Sequence, residues 1–284
     1  MTTQEKQRLQ LTACKIRQGI IVATHAAKSG HPGGSLGSAE IFTTLYFKEM
    51  SIDPANPHLP TRDRFVLSKG HCAPGLYSTL ANRGFFPLED LKTLRHVGSH
   101  LQGHPSMRLT PGVDMSTGSL GQGVSAAAGM ALGAKLQGAQ NRVYTLLGDG
   151  EIEEGECWEA FMFAAHHKLD NLCVIIDVNG LQIDGATAEV MNAEPIDKKL
   201  EAFNFEVFTV NGNSLDEVDE ALAKARTVKG RPTCIVARTV KGKGVSFMEN
   251  KASWHGKAPN DEECRAALDE LEAQYKELEG QANG

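Results

Sequence analysis

The sequence lacks several features that would assign a class at a glance. No stretch approaches the ~18 uninterrupted apolar residues that a membrane span needs. The polar opening segment, Met1 to Gln10, has no apolar core of the kind a signal peptide carries. A cytoplasmic protein with no membrane partner is expected. Basic excess is missing too. With 29 Lys+Arg against 35 Asp+Glu, the formal net charge is −6, so there is no surplus to neutralise a phosphate backbone, and no nucleic-acid partner is expected. The six cysteines, Cys14, Cys72, Cys157, Cys173, Cys234 and Cys264, form no C-x-x-C pair and follow no regular spacing. Neither a zinc site nor a disulfide framework is signalled, and Cys173 and Cys234, in apolar runs, read as small buried hydrophobes. There is no internal repeat and no low-complexity linker, so the 284 residues read as one main domain. At 41% apolar and 23% charged, the composition is that of an ordinary globular protein, long enough to bury about three quarters of its unfolded surface.

Two phosphate-binding signatures are also absent. Gly118-Ser119-Leu120-Gly121-Gln122-Gly123 runs G-x-x-G-x-G, with no clear strand before it, and does not meet the dinucleotide fingerprint. Lys241-Gly242-Lys243-Gly244 lacks the spacing and the Ser/Thr of a P-loop. A nicotinamide dehydrogenase or a P-loop NTPase is thereby disfavoured.

What is present is an alternation of strand and helix patterns. Residues 3–28 carry apolar side chains at helical spacing. Ser29-Gly30-His31-Pro32-Gly33-Gly34 should break that helix, and a helical pattern resumes over 37–49. Arg64 to Leu67 is a short strand candidate. The stretch 90–114 is loop-rich and carries His96, His100 and His104; Ser125 to Leu136 is a small-residue helix. Val143 to Leu147 and Leu172 to Ile176 are continuous apolar runs, the mark of strands buried on both faces. The helix between them, 156–168, should present Trp158, Phe161, Met162, Ala165 and Leu169 as one stripe. Strand, helix, strand within about 35 residues is a right-handed βαβ unit. Further strands at 205–210 and 233–237 flank a helix at 215–227, predicting an α/β fold with a mostly parallel sheet and helices on both faces. We divide the chain into a main domain, 1–258, and a C-terminal helical tail, 259–284. In the tail Leu268, Leu271, Tyr275 and Leu278 form a stripe that either packs on its own domain or docks a partner.

The βαβ unit carries the chemistry. Its two strands are parallel, so Asp149 after the first and Asn179 after the second lie at the same sheet edge, where ligands of open α/β sheets bind. One carboxylate and one amide oxygen, with a carbonyl nearby, suit a hard divalent cation completed by water and phosphate oxygens. Gly148 and Gly150 let a diphosphate approach the backbone, and the helix opening near Gly155 offers free N–H groups. Gly-Asp-Gly alone is common turn chemistry; Asn179, 30 positions on, turns the reading towards a site. Of the other histidines, His166 and His167 read as structural, and His25 and His58 carry no signal.

Gly148-Asp149-Gly150 with Glu154-Gly155 and Asp177-Val178-Asn179-Gly180 resembles the thiamine-diphosphate motif of the transketolase family. Ser29 to Gly33, Leu67-Ser68-Lys69-Gly70-His71, Gly103-His104-Pro105, Thr117 to Gly123, and Lys241 to His255 with Trp254-His255-Gly256 resemble transketolase segments in the same order. The resemblance implies thiamine diphosphate as cofactor, with Mg²⁺ (or Ca²⁺) held by Asp149, Asn179 and the Leu181 carbonyl. It implies that Gly148, Gly150, His71 and His255 meet the diphosphate, and that Gly118 and Leu120 lie against the cofactor rings. His31, His104 and His255 would face the sugar, while Glu154 and Glu159 would form a hydrogen-bond relay near a subunit interface. Ser119 stands where full-length transketolases often carry Pro.

Members of that family are a little over twice this length, and a second domain supplies the glutamate that activates the aminopyrimidine. The resemblance therefore implies the N-terminal subunit of a split transketolase in carbohydrate (pentose phosphate) metabolism. It would move a two-carbon ketol unit between sugars or sugar phosphates, active only with a C-terminal, pyrimidine-binding subunit, by analogy as α2β2. The alternatives are a subunit of a deoxyxylulose-phosphate synthase-like or dihydroxyacetone synthase-like enzyme, or a non-catalytic cofactor-binding paralogue.

Overall fold

The computed structural model describes residues 1–280. A long helix opens the chain, α1 (Thr3–Ala27), capped by the Thr2 side chain, which accepts from the Glu5 N–H and satisfies one of the free donors of the first turn. It ends at Lys28 in the left-handed conformation. The expected break is shorter than its glycines suggest. Pro32 opens a further helix, α2 (Pro32–Gly37), because its fixed φ and missing N–H cost nothing in a first turn. Then come α3 (Ala39–Thr44), which continues into a π-helical turn at Leu45–Glu49, β1 (Arg64–Leu67), α4 (Ala73–Arg83) and α5 (Gln122–Leu136). The central unit is β2 (Val143–Gly148), α6 (Gly155–His166) and β3 (Leu172–Val178). A small antiparallel hairpin, β4 (Leu181–Gln182) and β5 (Gly185–Ala186), leads through α7 (Thr187–Val190) and α8 (Ile196–Ala202) to β6 (Glu206–Asn211), α9 (Leu215–Thr227) and β7 (Thr233–Arg238). Helix α10 (Asp261–Gly280) closes the described chain. None of these helices is long and apolar enough to cross a membrane.

The main sheet is parallel throughout, in the order β1-β2-β3-β7-β6. Period-two alternation sorts its residues onto two faces. Phe65, Leu67, Tyr144, Leu146, Cys173, Ile175 and Ile235 pack under α1, α3, α4 and α9. Val66, Val143, Leu147, Val174, Ile176 and Val236 pack under α5, α6 and α8. Both faces are covered, which is why these strands read as unbroken apolar runs. In α6 the stripe is narrower than expected: Phe161 is buried, but Met162 is 58% exposed because it follows Phe161 by 100° around the helix and looks outward.

A third apolar cluster joins α1, α2, α3 and the loop after β7 to α10, with Ile16, Ile20, Val245, Met248, Trp254, Ala267 and Leu271 at its centre. The α10 stripe thus lies against its own chain: Leu271 is fully buried, with Leu268 and Tyr275 partly so. Leu271→Ala should cost about 2–5 kcal/mol of stability, read as a fall in the urea midpoint. An unchanged midpoint would mean that α10 is a detachable arm.

Candidate functional site

Four adjacent strands, β1, β2, β3 and β7, deliver their carboxyl ends to one rim, and a cavity of about 210 Å³ opens there. Its wall takes Lys69 and His71 from the end of β1, Asp149 from β2, Asn179 and Leu181 from β3 and the hairpin, and Lys241 and His255 from the loop after β7. His31 and Gly34 enter from the start of α2; Gly118 and Leu120 come from the loop before α5. Register explains the convergence of the central pair. Gly148 sits opposite Asp177, so the chain leaves both strands at the same level, and the Asp149 N–H donates to the Asp177 carbonyl at 3.1 Å.

The Asp149 carboxylate is 4% exposed and accepts from the N–H of Gly150 (3.0 Å) and of Gly180 (2.6 Å). Burial, then the neighbouring Asp177, push its pKa up to about 6, against the pull of these N–H groups and Lys241. Such a carboxylate is incompletely compensated. Asn179 donates from Nδ2 to Asp177 Oδ2 (3.1 Å), and its Oδ1 accepts from the Leu181 N–H (3.2 Å). Because a carboxylate only accepts, Asp177 decides which end of the amide is nitrogen. The Leu181 carbonyl accepts from the Lys241 ammonium at 2.7 Å, so a positive charge already sits against that oxygen. An under-compensated carboxylate, an oriented amide and a carbonyl that takes a cation form a hard-oxygen set that fits Mg²⁺ or Ca²⁺. Among the described residues no group of three or more His, Cys, Asp or Glu is placed to hold a metal ion, so this oxygen set is the candidate cation site.

Beside it stand three imidazoles. The His71 and His255 rings stack at 5.0 Å, and His31 meets both edge-on at 5.2 and 5.3 Å. Burial, reinforced by Arg95, His104 and Lys241, lowers His31 to about 4. Burial with Lys241, His31 and Lys69 does the same for His255, and His71 falls well below its usual range for similar reasons. At neutral pH these rings are uncharged, each able to donate from one nitrogen and accept at the other. Among the described residues, His31 Nδ1 is buried without a protein partner, which leaves it free for a ligand.

A stability consequence follows from linkage. The folded chain holds His31 and His255 neutral down to about 4, whereas their unperturbed value is 6.5. Between these values the unfolded state binds more protons, so stability is full above about 6.5 and declines as the pH drops towards 4. The urea midpoint should fall between pH 7 and pH 5, and His255→Gln should flatten that slope; a flat wild-type profile would contradict the neutral cluster.

Not every candidate reaches the cavity. His104 lies outside its lining, although its ring presses on Gly118, where a Cβ would come within 3.0 Å of His104 Cγ and φ is +143°. Glu154 and Glu159 are exposed at the start and second turn of α6, also outside the lining. The N-terminus of α6 does not line the cavity at Gly155 either. A 3₁₀ turn, Glu151–Glu153, intervenes, anchored by the buried Glu151 carboxylate, which accepts from Ser68 Oγ (2.5 Å) and from the N–H of Gly121 (3.1 Å) and Gly148 (3.0 Å). His100 pairs with Asp90 at 3.1 Å, and His96, His166 and His167 are exposed.

Sequence patterns assigned no role to Lys69, Glu151, Asp177 or Lys241. Lys69 is 1% exposed and pairs with Asp177 at 2.5 Å and with Ser38 Oγ at 2.7 Å. Burial opposes its charge, but its neighbours, Asp177 foremost, together more than offset this and hold the ammonium above its ordinary range.

Comparison with known proteins decides the family. The sequence model described as "Transketolase, thiamine diphosphate binding domain" matches residues 9–279. The chain belongs to the transketolase family. It is 48% identical over 243 residues to the 6-deoxy-6-sulfo-D-fructose transketolase subunit SqwG of Clostridium sp. (strain MSTE9), covering 86% of this chain and 88% of that one. It is 41% identical to an apulose-4-phosphate transketolase subunit of Phocaeicola vulgatus, covering 97% and 98%. Human transketolase is 46% identical over 259 residues, but there this chain spans only 40% of the relative. The transketolase structure from Campylobacter jejuni superposes with a TM-score of 0.86 at 33% identity, over 98% of this chain and 46% of that one. This transketolase-family chain thus matches the named subunits over nearly their whole length and less than half of the longer enzymes.

Proposed function

We propose that the chain is the N-terminal, thiamine-diphosphate-binding subunit of a transketolase and transfers a two-carbon ketol unit from a ketose or ketose phosphate to an aldose or aldose phosphate. The observation that carries this reading is the pairing, at one sheet edge, of the hard-oxygen set Asp149, Asn179 and Leu181 with the neutral imidazoles of His31, His71 and His255. In this reading Asp149, Asn179 and the Leu181 carbonyl hold Mg²⁺ (Ca²⁺ can substitute), and Gly148, Gly150, His71, His255 and Lys241 meet the diphosphate. Thiamine diphosphate, when bound, supplies a nucleophilic carbon and an electron sink for the two-carbon fragment. The protein's own groups do the rest. His31 and His255, uncharged at neutral pH, bind sugar hydroxyls and pass protons as carbonyls form and break, and His104, behind Gly118, adds a contact to the sugar. Gly118 and Leu120 form the wall against the rings. Glu154 and Glu159, on the exposed start of α6, serve as a relay to a neighbouring subunit.

A second polypeptide completes the site in this reading. The close relatives of matching length are called subunits, and the cavity is rimmed by hydrophobics left open, Leu120 at 38% and Ile183 at 71% exposed. Met162 and Phe163 on α6 are also exposed, at 58% and 40%. The partner is a C-terminal, pyrimidine-binding transketolase subunit in a cytoplasmic α2β2 assembly. The reaction class is tested by supplying the reconstituted pair with fructose 6-phosphate and an aldose phosphate, or with pyruvate and an aldose phosphate. Ketose exchange without pyruvate consumption is the expected result; pyruvate consumption would move the chain to a synthase of the deoxyxylulose type.

A further inference from the structure

His104 is the site histidine that lies outside the cavity lining. It sits in no helix or strand, yet the loop around it is closely braced. The buried Tyr77 hydroxyl lies 2.9 Å from the Gln102 carbonyl and 3.1 Å from that of His104, and the Thr117 N–H donates to the Pro105 carbonyl at 3.3 Å. Gly118 backs the ring. Arg95, itself exposed, adds a further brace: its N–H donates to the Leu101 carbonyl at 2.9 Å and its Nη2 donates to the Gly103 carbonyl at 3.3 Å. The guanidinium lies so flat on Gly103 that a Cβ there would come within 3.0 Å of Arg95 Cζ. Arg95 has φ +61°, a left-handed backbone that is disfavoured for a residue with a Cβ. Such conformations persist where the surroundings over-determine them, and they cluster at functional sites.

We propose that Arg95 is a positioning residue for His104, its guanidinium clamping Gly103 so that the adjacent imidazole is held against Gly118 of the cavity wall. The role of His104 towards the sugar rests on the function proposed above; the clamp itself does not. Two charge effects accompany the clamp. Burial and then Arg95 lower the pKa of His104, and Arg95 is the first charge to act on His31 after burial, followed by His104 and Lys241. A neutral His104 keeps both a donor and an acceptor, whereas a protonated ring could only donate.

The test uses histidine NMR titration of the chain, with His104 assigned by His104→Gln, in wild type, Arg95→Asn, Arg95→Lys and Gly103→Ala. Asparagine tolerates the left-handed backbone, so that variant removes the charge and fork without adding strain. Lysine keeps the charge but loses the planar fork. Gly103→Ala pushes an intact Arg95 back by a few tenths of an ångström, so the clamp is testable even if one variant folds poorly. His104 should titrate higher in Arg95→Asn and stay nearer wild type in Arg95→Lys. In the complex with its partner, Arg95→Asn, Arg95→Lys and Gly103→Ala should each lower kcat about tenfold, with little change in cofactor affinity. Identical His104 titration and unchanged kcat in all three variants overturn the proposal. A shifted titration in a pair whose wild type transfers no sugar keeps the clamp and refutes the transketolase reading instead.

Discussion

Asp149→Ala should lower the affinity of the complex for thiamine diphosphate in the presence of Mg²⁺ by at least about 100-fold, since loss even of groups outside a metal's ligand sphere costs 10–100-fold. Turnover should vanish with it. The cause is electrostatic. Asp149 is nearly sealed from solvent, shares its site with Asp177, and has its pKa raised to about 6, so its charged form is tolerated best when a cation stands beside it. The same fact predicts an opposite effect on folding. A carboxyl whose folded pKa exceeds its unfolded value loses stability as the pH rises through that window. Neutralising it as Asp149→Asn should therefore leave the thermal midpoint of the cofactor-free chain at pH 7 unchanged or higher. Binding lost while stability holds would mark Asp149 as a residue kept for its ligand. Calorimetric titration of thiamine diphosphate with and without Mg²⁺ reads the first effect, and undiminished Mg²⁺-dependent binding would refute the assignment.

The second large effect lies beneath the cation site. Lys69 and Asp177 are 1% exposed each and pair at 2.5 Å. Asp177 also accepts from Asn179 Nδ2 and from Thr239 Oγ1. Removing one member of a buried ion pair leaves an uncompensated charge and costs about 3–5 kcal/mol, whereas replacing both is often nearly neutral. Lys69→Met should therefore cost about 3–5 kcal/mol in urea at pH 7, a large share of the ~5–15 kcal/mol typical of a folded domain. Lys69→Met with Asp177→Asn should recover much of it. Equal losses in the single and double variants would place the cost in packing and not in charge. Asp177 also orients Asn179, so the double variant should still bind Mg²⁺ and cofactor weakly, because an asparagine at 177 no longer dictates which way the Asn179 amide faces.

How much was legible beforehand follows from distance along the chain. The βαβ unit showed itself because Val143 to Leu147 and Leu172 to Ile176 are apolar without interruption, which only two-faced burial requires. Asp149 and Asn179 could be placed together because parallel strands share an end, and the register of Gly148 against Asp177 realises that expectation. The α10 stripe was visible as a stripe, but whether it faced home or outward depended on α1 and the Val245–Trp254 loop, which local pattern does not contain. Lys69 and Lys241 were hidden for the same reason. Lys69 meets a partner 108 positions away, and Lys241 meets Leu181 60 positions away, so each looks like an ordinary solvated lysine in sequence. Glu151 left no signal, because what it holds are N–H groups of Gly121 and Gly148. The 3₁₀ turn it anchors is what carries the start of α6 away from the cavity.

The most direct test of the central claim is a two-carbon transfer assay on the purified chain, alone and mixed with a candidate C-terminal transketolase subunit, with thiamine diphosphate, Mg²⁺, fructose 6-phosphate and an aldose phosphate acceptor. The expected result is no turnover from the chain alone, and turnover on mixing that saturates with added partner and disappears with Asp149→Ala. Full-rate transfer by the chain alone would contradict it.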